Sequence, residues 1–209
     1  MEINWYGHSC FRITERNMAT VVTDPYDHKE VGYSELKAKG DIVTISHDAP
    51  GHNNAKAVKG SEWTLDHAGE YEIGNVFITA VAIGSNGSRN MVFVFDYEGL
   101  NVCHLGDLEN VPSRKEIEQF GTVDVLLVPV GGGNGLNAAK AAEVISLIEP
   151  SIVVPMHYAI GDTKTKLNGI NPFLKQMGMN EKIEAQESLK VTRSSLPEDT
   201  QVVVLTVSK

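Results

Sequence analysis

Cysteine is scarce in this chain: two residues, Cys10 and Cys103, among 209. They lie far apart, each in a strand-like apolar setting, and read as buried thiols rather than a disulfide framework. No CxxC spacing supports cysteine ligation of zinc. Cations are also in deficit, with 18 Lys and Arg against 27 Asp and Glu and a net charge of −9. Nucleic-acid backbones and anionic membranes demand clustered Lys and Arg, so both are disfavoured as main partners. A small anionic substrate held through a metal cation is not. No run of about 18 apolar residues occurs, so no membrane-spanning helix is expected. The start, Met1-Glu2-Ile3-Asn4-Trp5, lacks the basic-then-apolar order of a secretory signal, which leaves a cytoplasmic location as the expectation. Repeats, low-complexity tracts and Pro/Ser-rich linkers are absent too. The length suits one well-cored domain over residues 1–209, and nothing opposes a homo-oligomer.

What is present is a change of pattern along the chain. The first half is mostly strand-like: Glu2 to Tyr6, Thr20 to Thr23, Asp41 to Ile45, Val76 to Ile83, Met91 to Asp96 and Asn101 to His104 are rich in Val, Ile, Phe and Tyr. Asp24-Pro25, Lys39-Gly40, Ser85-Asn86-Gly87-Ser88 and Glu98-Gly99 supply the turns. The second half alternates. Helices are expected over Pro112 to Phe120, Ala138 to Ile148 with Asn137 as N-cap, and Asn171 to Met177; strands over Val123 to Val128, Ser151 to Pro155 and Gln201 to Val207. Continuous apolar strands imply sheets covered on both faces. The expected architecture is a sandwich of two mixed sheets flanked by helices.

Four residues stand just after such apolar runs. His47 and His52 follow Asp41 to Ser46, Asp107 follows Asn101 to Gly106, and His157 follows Val153 to Met156. Imidazole and carboxylate are zinc ligands, and Pro50-Gly51 lets the loop between the first two histidines double back. Each element alone is ordinary; three separate strand ends each delivering a suitable donor point to a metal centre on one sheet edge. His8, between two strands, is expected to orient a ligand or to be a satisfied buried histidine. His104 is expected in a structural or ligand-orienting role rather than as a ligand, His67 exposed, and His28 on a surface loop. Gly131-Gly132-Gly133-Asn134-Gly135 opens the Ala138 helix and fits neither a Walker loop nor GxGxxG. Gly132 and Gly133 are candidates for gripping a substrate anion, with a tight strand-to-helix turn as the alternative.

Taken in order, Trp5-Tyr6-Gly7-His8-Ser9-Cys10-Phe11, Thr23-Asp24-Pro25, Ser46-His47 to His52-Asn53-Asn54, Gly69-Glu70-Tyr71-Glu72, His104-Leu105-Gly106-Asp107 and Pro155-Met156-His157-Tyr158 resemble the metallo-β-lactamase-fold superfamily. The resemblance is to its branch of zinc-dependent hydrolases related to L-ascorbate-6-phosphate lactonase, and it runs from about Glu2 to Met177. It implies a four-layer αββα sandwich with the site at one edge of the sheets. The family motif His-x-His-x-Asp-His is incomplete here: His47 and His52 match its ends, but Ala49 and Gly51 replace the second histidine and the aspartate. Gly84-Ser85-Asn86-Gly87-Ser88 stands where the next family histidine belongs. Asp107 matches the metal-bridging aspartate and His157 the last histidine.

The resemblance therefore implies one ion rather than two, held by His52, Asp107 and His157, with His47 as a fourth candidate. Zinc is the expected ion and manganese the alternative. Asp107 and His52 are the expected catalytic residues. Glu70 is a candidate for the missing carboxylate from a neighbouring loop, and Asp48 for swinging inward. The function expected is hydrolysis of a small-molecule ester, lactone or phosphoester by hydroxide generated at the metal. The competing expectation is a non-catalytic binding protein that has lost the dinuclear centre.

Overall fold

The structure, a computed structural model, describes residues 1–84, 89–161, 163–179 and 183–208. Its frame is a pair of mixed sheets. From edge to edge the first runs β12 (Leu189–Lys190), β1 (Glu2–Gly7), β2 (Cys10–Thr14), β3 (Val21–Thr23), β4 (Ile42–Thr44) and β5 (Trp63–Leu65). The second runs β13 (Gln201–Val202), β11 (Ile152–Met156), β10 (Val125–Pro129), β9 (Leu100–His104), β8 (Asn90–Tyr97), β7 (Val76–Ile83) and β6 (Gly69–Ile73).

Alternation along each strand sorts side chains to two faces. Phe11, Ile13, Val21 and Ile42 of the first sheet share one core with Ile78, Phe93, Val102 and Leu126 of the second. Cys10, Val22 and Val43 point the other way, into a smaller cluster closed by Tyr26, Val31 and Leu36. Val31 lies in the short helix α1 (His28–Val31). Helix α3 (Ala138–Ile148) covers the outer face of the second sheet with Ala141, Val144 and Ile145, an i, i+3, i+4 stripe. Asn137 caps it by accepting from Lys140 N at 3.0 Å. Helix α4 (Asn171–Gln176) packs against α3. The order helix, sheet, sheet, helix follows. Both faces of β10 and β11 are covered, which explains why every residue in them is buried. Pro155 is tolerated inside β11 because its side of the strand faces β13, and that pairing spans only Ile152 and Val153.

Some elements differ from the sequence expectation. The helix expected over Pro112 to Phe120 is one turn, α2 (Arg114–Ile117), followed by a 3-10 turn; a reciprocal Ser113–Glu116 capping box starts it after Pro112. The closing strand keeps only Gln201–Val202, after which the chain crosses to bridge Leu205 with Gln186 and Val207 with Trp5. Gly69-Glu70-Tyr71-Glu72 is strand β6 rather than a loop, and His28 opens α1. No helix among the described residues is long and apolar enough to cross a membrane.

Candidate metal centre

Strands β3, β4 and β5 run parallel to one another, as do β9, β10, β11 and β13. Ligand sites of parallel sheets collect at the carboxyl ends of the strands, and the chemistry-bearing residues lie there. Asp24 follows β3, His47 and His52 follow β4, Asp107 follows β9, and His157 follows β11. His8 sits in the β1–β2 turn. Two donor groups result. His8, His52 and His157 form one, His47, His52 and Asp107 the other, with the donor atoms of each within 4.8 Å of one another. That is close to what bonds of about 2 Å to a shared ion require. The sequence-predicted donors His47, His52, Asp107 and His157 are thus brought together, and His8 joins them.

A buried carboxylate sets the orientation of two of these rings. Asp24 is fully buried and accepts from Ser46 N at 2.7 Å, Ser46 Oγ at 2.6 Å and His52 Nδ1 at 2.8 Å. Since Ser46 Oγ spends its proton on Asp24, it accepts from His47 Nδ1, 3.0 Å away. Both imidazoles then carry their proton on Nδ1 and present a bare Nε2, the tautomer that ligates. Burial alone pushes the Asp24 carboxyl up, but the His52 charge and hydrogen bond, His104 and Ser46 outweigh it and bring the pKa down to about 2. Burial, reinforced by neighbouring imidazoles, holds His8 well below the ordinary histidine value; the same causes lower His47 against the pull of Asp24 and Asp107. Asp107 is raised by burial but lowered more by His157, His52 and His47, so it stays ionised. Neutral imidazoles beside carboxylates are the donor set a divalent cation takes.

A family model described as a beta-lactamase superfamily domain matches residues 2–157. The chain belongs to that superfamily. A Thermotoga maritima protein, described with its crystal structure as a candidate Zn-dependent hydrolase of the metallo-beta-lactamase superfamily, is 35% identical; the match covers 98% of this chain and 97% of that one, with a TM-score of 0.82. A UPF0173 protein of Pyrococcus abyssi is 29% identical over 181 residues, covering 76% of this chain and 83% of its own length. A protein of Natranaerobius thermophilus named a UPF0173 metal-dependent hydrolase is 23% identical, with the same two coverages. The two-sheet sandwich is the metallo-β-lactamase fold.

Whether this metallo-β-lactamase-fold site suits a cation is tested by its own polar atoms. His8 Nδ1, Asp107 Oδ1 and His157 Nδ1 are buried without a hydrogen-bond partner. The last two lie 2.6 Å apart, but off the line a hydrogen bond needs. An orphaned buried donor or acceptor costs about 1–3 kcal/mol; His8 Nδ1 carries that cost, and the close but poorly directed Asp107–His157 pair is one that a cation would satisfy better. The residues fit a metal ion.

Backbone packing brings further residues against the site. Asn90 holds the Asp107 loop, accepting from Asp107 N and donating to Leu105 O, each at 2.9 Å. His104 donates from Nε2 to Ser9 O at 2.9 Å and accepts at Nδ1 from Gly106 N at 3.2 Å, so both ring nitrogens are used behind the cluster. Of the glycine loop, Gly135 is the residue against the donors: a Cβ there would stand 2.3 Å from Asp107 Oδ1 and 3.2 Å from His157 Nδ1. A Cβ on Gly132 or Gly133 would meet Asn168 or Leu167 instead; neither glycine lines the cavity, and Gly132 N donates to Leu136 O at 3.0 Å within the strand-to-helix turn. Glu70 is exposed on the edge strand β6 and belongs to neither donor group. Asp48 accepts from Asn53 at 2.6 Å rather than turning inward. His67 is exposed beside Asp66. The expected absence of a histidine at Ser85 to Ser88 lies outside the described residues. Asp24, Ser46 and Asn90 were not singled out from sequence; Thr23-Asp24-Pro25 was the available signal for the first.

A cavity of about 510 Å³ opens onto the cluster, lined by His47, Asp48, Arg89, Asn90, Asp107, Glu109 and Asn134 among others. Its size suits a small molecule. Arg89 is the one cationic side chain among the described residues lining it.

Proposed function

We propose that this chain is a metal-dependent hydrolase acting on a small-molecule ester, lactone or phosphoester. The observation that carries the reading is the convergence of imidazole and carboxylate donors in two overlapping groups, His8, His52 and His157 with His47, His52 and Asp107, beside a cavity of small-molecule size that His47 and Asp107 line. The UPF0173 relatives named metal-dependent hydrolases support the same class.

When bound, a divalent cation supplies a lowered pKa for coordinated water and a polarised electrophile. The protein's part is orientation. Asp24 and Ser46 fix the tautomers of His52 and His47, Asn90 fixes the Asp107 loop, and the cavity admits the substrate. One ion is the better reading than two. His52 belongs to both donor groups but spends Nδ1 on Asp24, so it has one nitrogen to give. Zinc suits the imidazole-rich donors better than manganese does. A lactone is the first substrate to try, supported by the resemblance of Trp5 to Phe11 and Gly69 to Glu72 to the L-ascorbate-6-phosphate lactonase branch. We read the chain as a cytoplasmic enzyme of one domain. Zinc-loaded protein is tested against lactones, carboxylic esters and phosphoesters, before and after chelation. Turnover that chelator removes and zinc restores supports the reading; no turnover in any class, or turnover indifferent to chelator, overturns it.

A further inference from the structure

We propose that His8 is a direct ligand of the metal, a third imidazole supplied from outside the histidine motif and seated in space that a side chain at position 51 would otherwise fill. The inference rests on the metal-dependent reading above and deepens it.

Three observations carry it. His8, His52 and His157 are all buried and offer donor atoms within 4.8 Å of one another, a complete three-ligand set by themselves. Ring centroids put His8 4.7 Å from His52 and 4.3 Å from His157. Next, the His8 ring lies directly over Gly51: a Cβ on Gly51 would come within 2.6 Å of His8 Nε2 and 3.1 Å of Cδ2. Real Cβ atoms do not approach so closely, so position 51 and the His8 ring compete for one volume. Any larger residue at 51 evicts the ring, and with Gly51 the ring enters. Finally, His8 is placed there at a conformational expense. It and His157 both adopt left-handed backbone, φ 53° and 51°, a region that non-glycine residues seldom enter. The two are fastened together, since His8 O accepts from His157 N at 3.0 Å and from Trp5 Nε1 at 3.0 Å. His8 Nδ1 is nevertheless left buried with no partner. A histidine kept only for packing has no need of strained backbone, a glycine opposite and an unmet nitrogen.

With His8 included, the set His8, His52 and His157 offers three imidazoles, and Asp107, whose Oδ1 lies 2.6 Å from His157 Nδ1, stands beside it. Nitrogen donors in that proportion favour zinc, cobalt or nickel over manganese and magnesium.

The test uses the full chain loaded with zinc and with cobalt. Zinc affinity is measured by competition with a chromophoric chelator, and the number of coordinated imidazoles by X-ray absorption. In His8→Gln the imidazole count should fall by one and zinc affinity by about tenfold or more. Affinity alone does not decide, because loss of a residue that merely orients a ligand weakens zinc by a similar factor; the imidazole count does. Gly51→Ala is the second variant. Gly51 is outside the left-handed region and is not a donor, and its new methyl would meet His8 Nε2 and Cδ2 first, so the count should fall in the same way. An unchanged imidazole count in both variants overturns the assignment of His8 while leaving the metal intact. Less than about a tenth of a zinc per wild-type chain overturns the metal-dependent reading itself.

Discussion

Replacing Asp24 by asparagine should reverse the proton order of the whole histidine array. Asp24 accepts three hydrogen bonds, from Ser46 N, Ser46 Oγ and His52 Nδ1. In Asp24→Asn the amide oxygen keeps the first of these. The amide nitrogen faces Ser46 Oγ and His52 Nδ1 and must donate to both. His52 then moves its proton to Nε2. Ser46 Oγ, now an acceptor of the introduced amide, turns its own proton toward His47 Nδ1, 3.0 Å away, and His47 changes tautomer as well. The His52 nitrogen that faced the ion bare would face it protonated, and His47 beside it changes in the same way. Losing one properly oriented ligand costs about 10–100-fold in metal affinity, so zinc should bind at least about tenfold more weakly. The fold suffers less. Shape is kept and every group is paired, and what is lost is charge assistance, worth about 1–2 kcal/mol here. Chelator competition measures the first effect, urea unfolding of the metal-free protein the second, and nitrogen NMR of the imidazoles reads the tautomers. Zinc affinity within about threefold of wild type, with Nδ1 still protonated in both rings, would refute the reasoning.

Three other outcomes are expected. Gly135→Ala places a methyl 2.3 Å from Asp107 Oδ1, so zinc should bind about tenfold or more weakly, whereas Gly169→Ala, with nothing within 4 Å, should leave binding unchanged; equal behaviour of the two contradicts the placement of the glycine loop. Asn90→Ala removes partners of Asp107 N and Leu105 O and should destabilise the protein by about 2 kcal/mol in urea unfolding; a loss below about 0.5 kcal/mol would show that the Asp107 loop is held by something else. The metal-free protein should lose stability with acid in two stages. His8 and His47 have folded pKa values below the ordinary 6.5, so the unfolded state takes up more protons and their contribution, full above pH 6.5, fades as pH falls below it. Asp24, at about 2 against an unfolded 3.8, adds about 2 kcal/mol that is complete above pH 3.8 and lost as pH falls through 2. A melting temperature that is flat from neutral pH to about pH 4.5 would contradict the first stage.

The ends of buried strands were the legible part of the site. His47, His52, Asp107 and His157 each follow an apolar run long enough to betray a strand, and sheet topology does the rest. Asp24 is hidden in Thr23-Asp24-Pro25, because an aspartate before proline also reads as a turn; only the approach of Ser46 and His52 from the next strand's loop shows its task. Which glycine meets the donors was equally hidden. Gly132 and Gly133 look like Gly135 in sequence, but the backbone path past His157 turns Gly135 toward Asp107 and sends the others to Leu167 and Asn168. Strands of two residues, β12 and β13, owe their existence to neighbours rather than to their own composition, and Glu70 sits in an edge strand whose exposed, charged side chains hide its period. The fold as a whole was easier. Its core strands are nearly continuous Val, Leu and Ile, and α3 carries both its cap and its stripe in the open.

Convergence of donors from separate strand ends on one cation is visible in diffraction from zinc-soaked crystals at the zinc absorption edge. A single anomalous peak is expected, with bonds of about 2.0–2.2 Å to His52, His157 and Asp107. No peak among these residues, or one seated elsewhere on the protein, would contradict it.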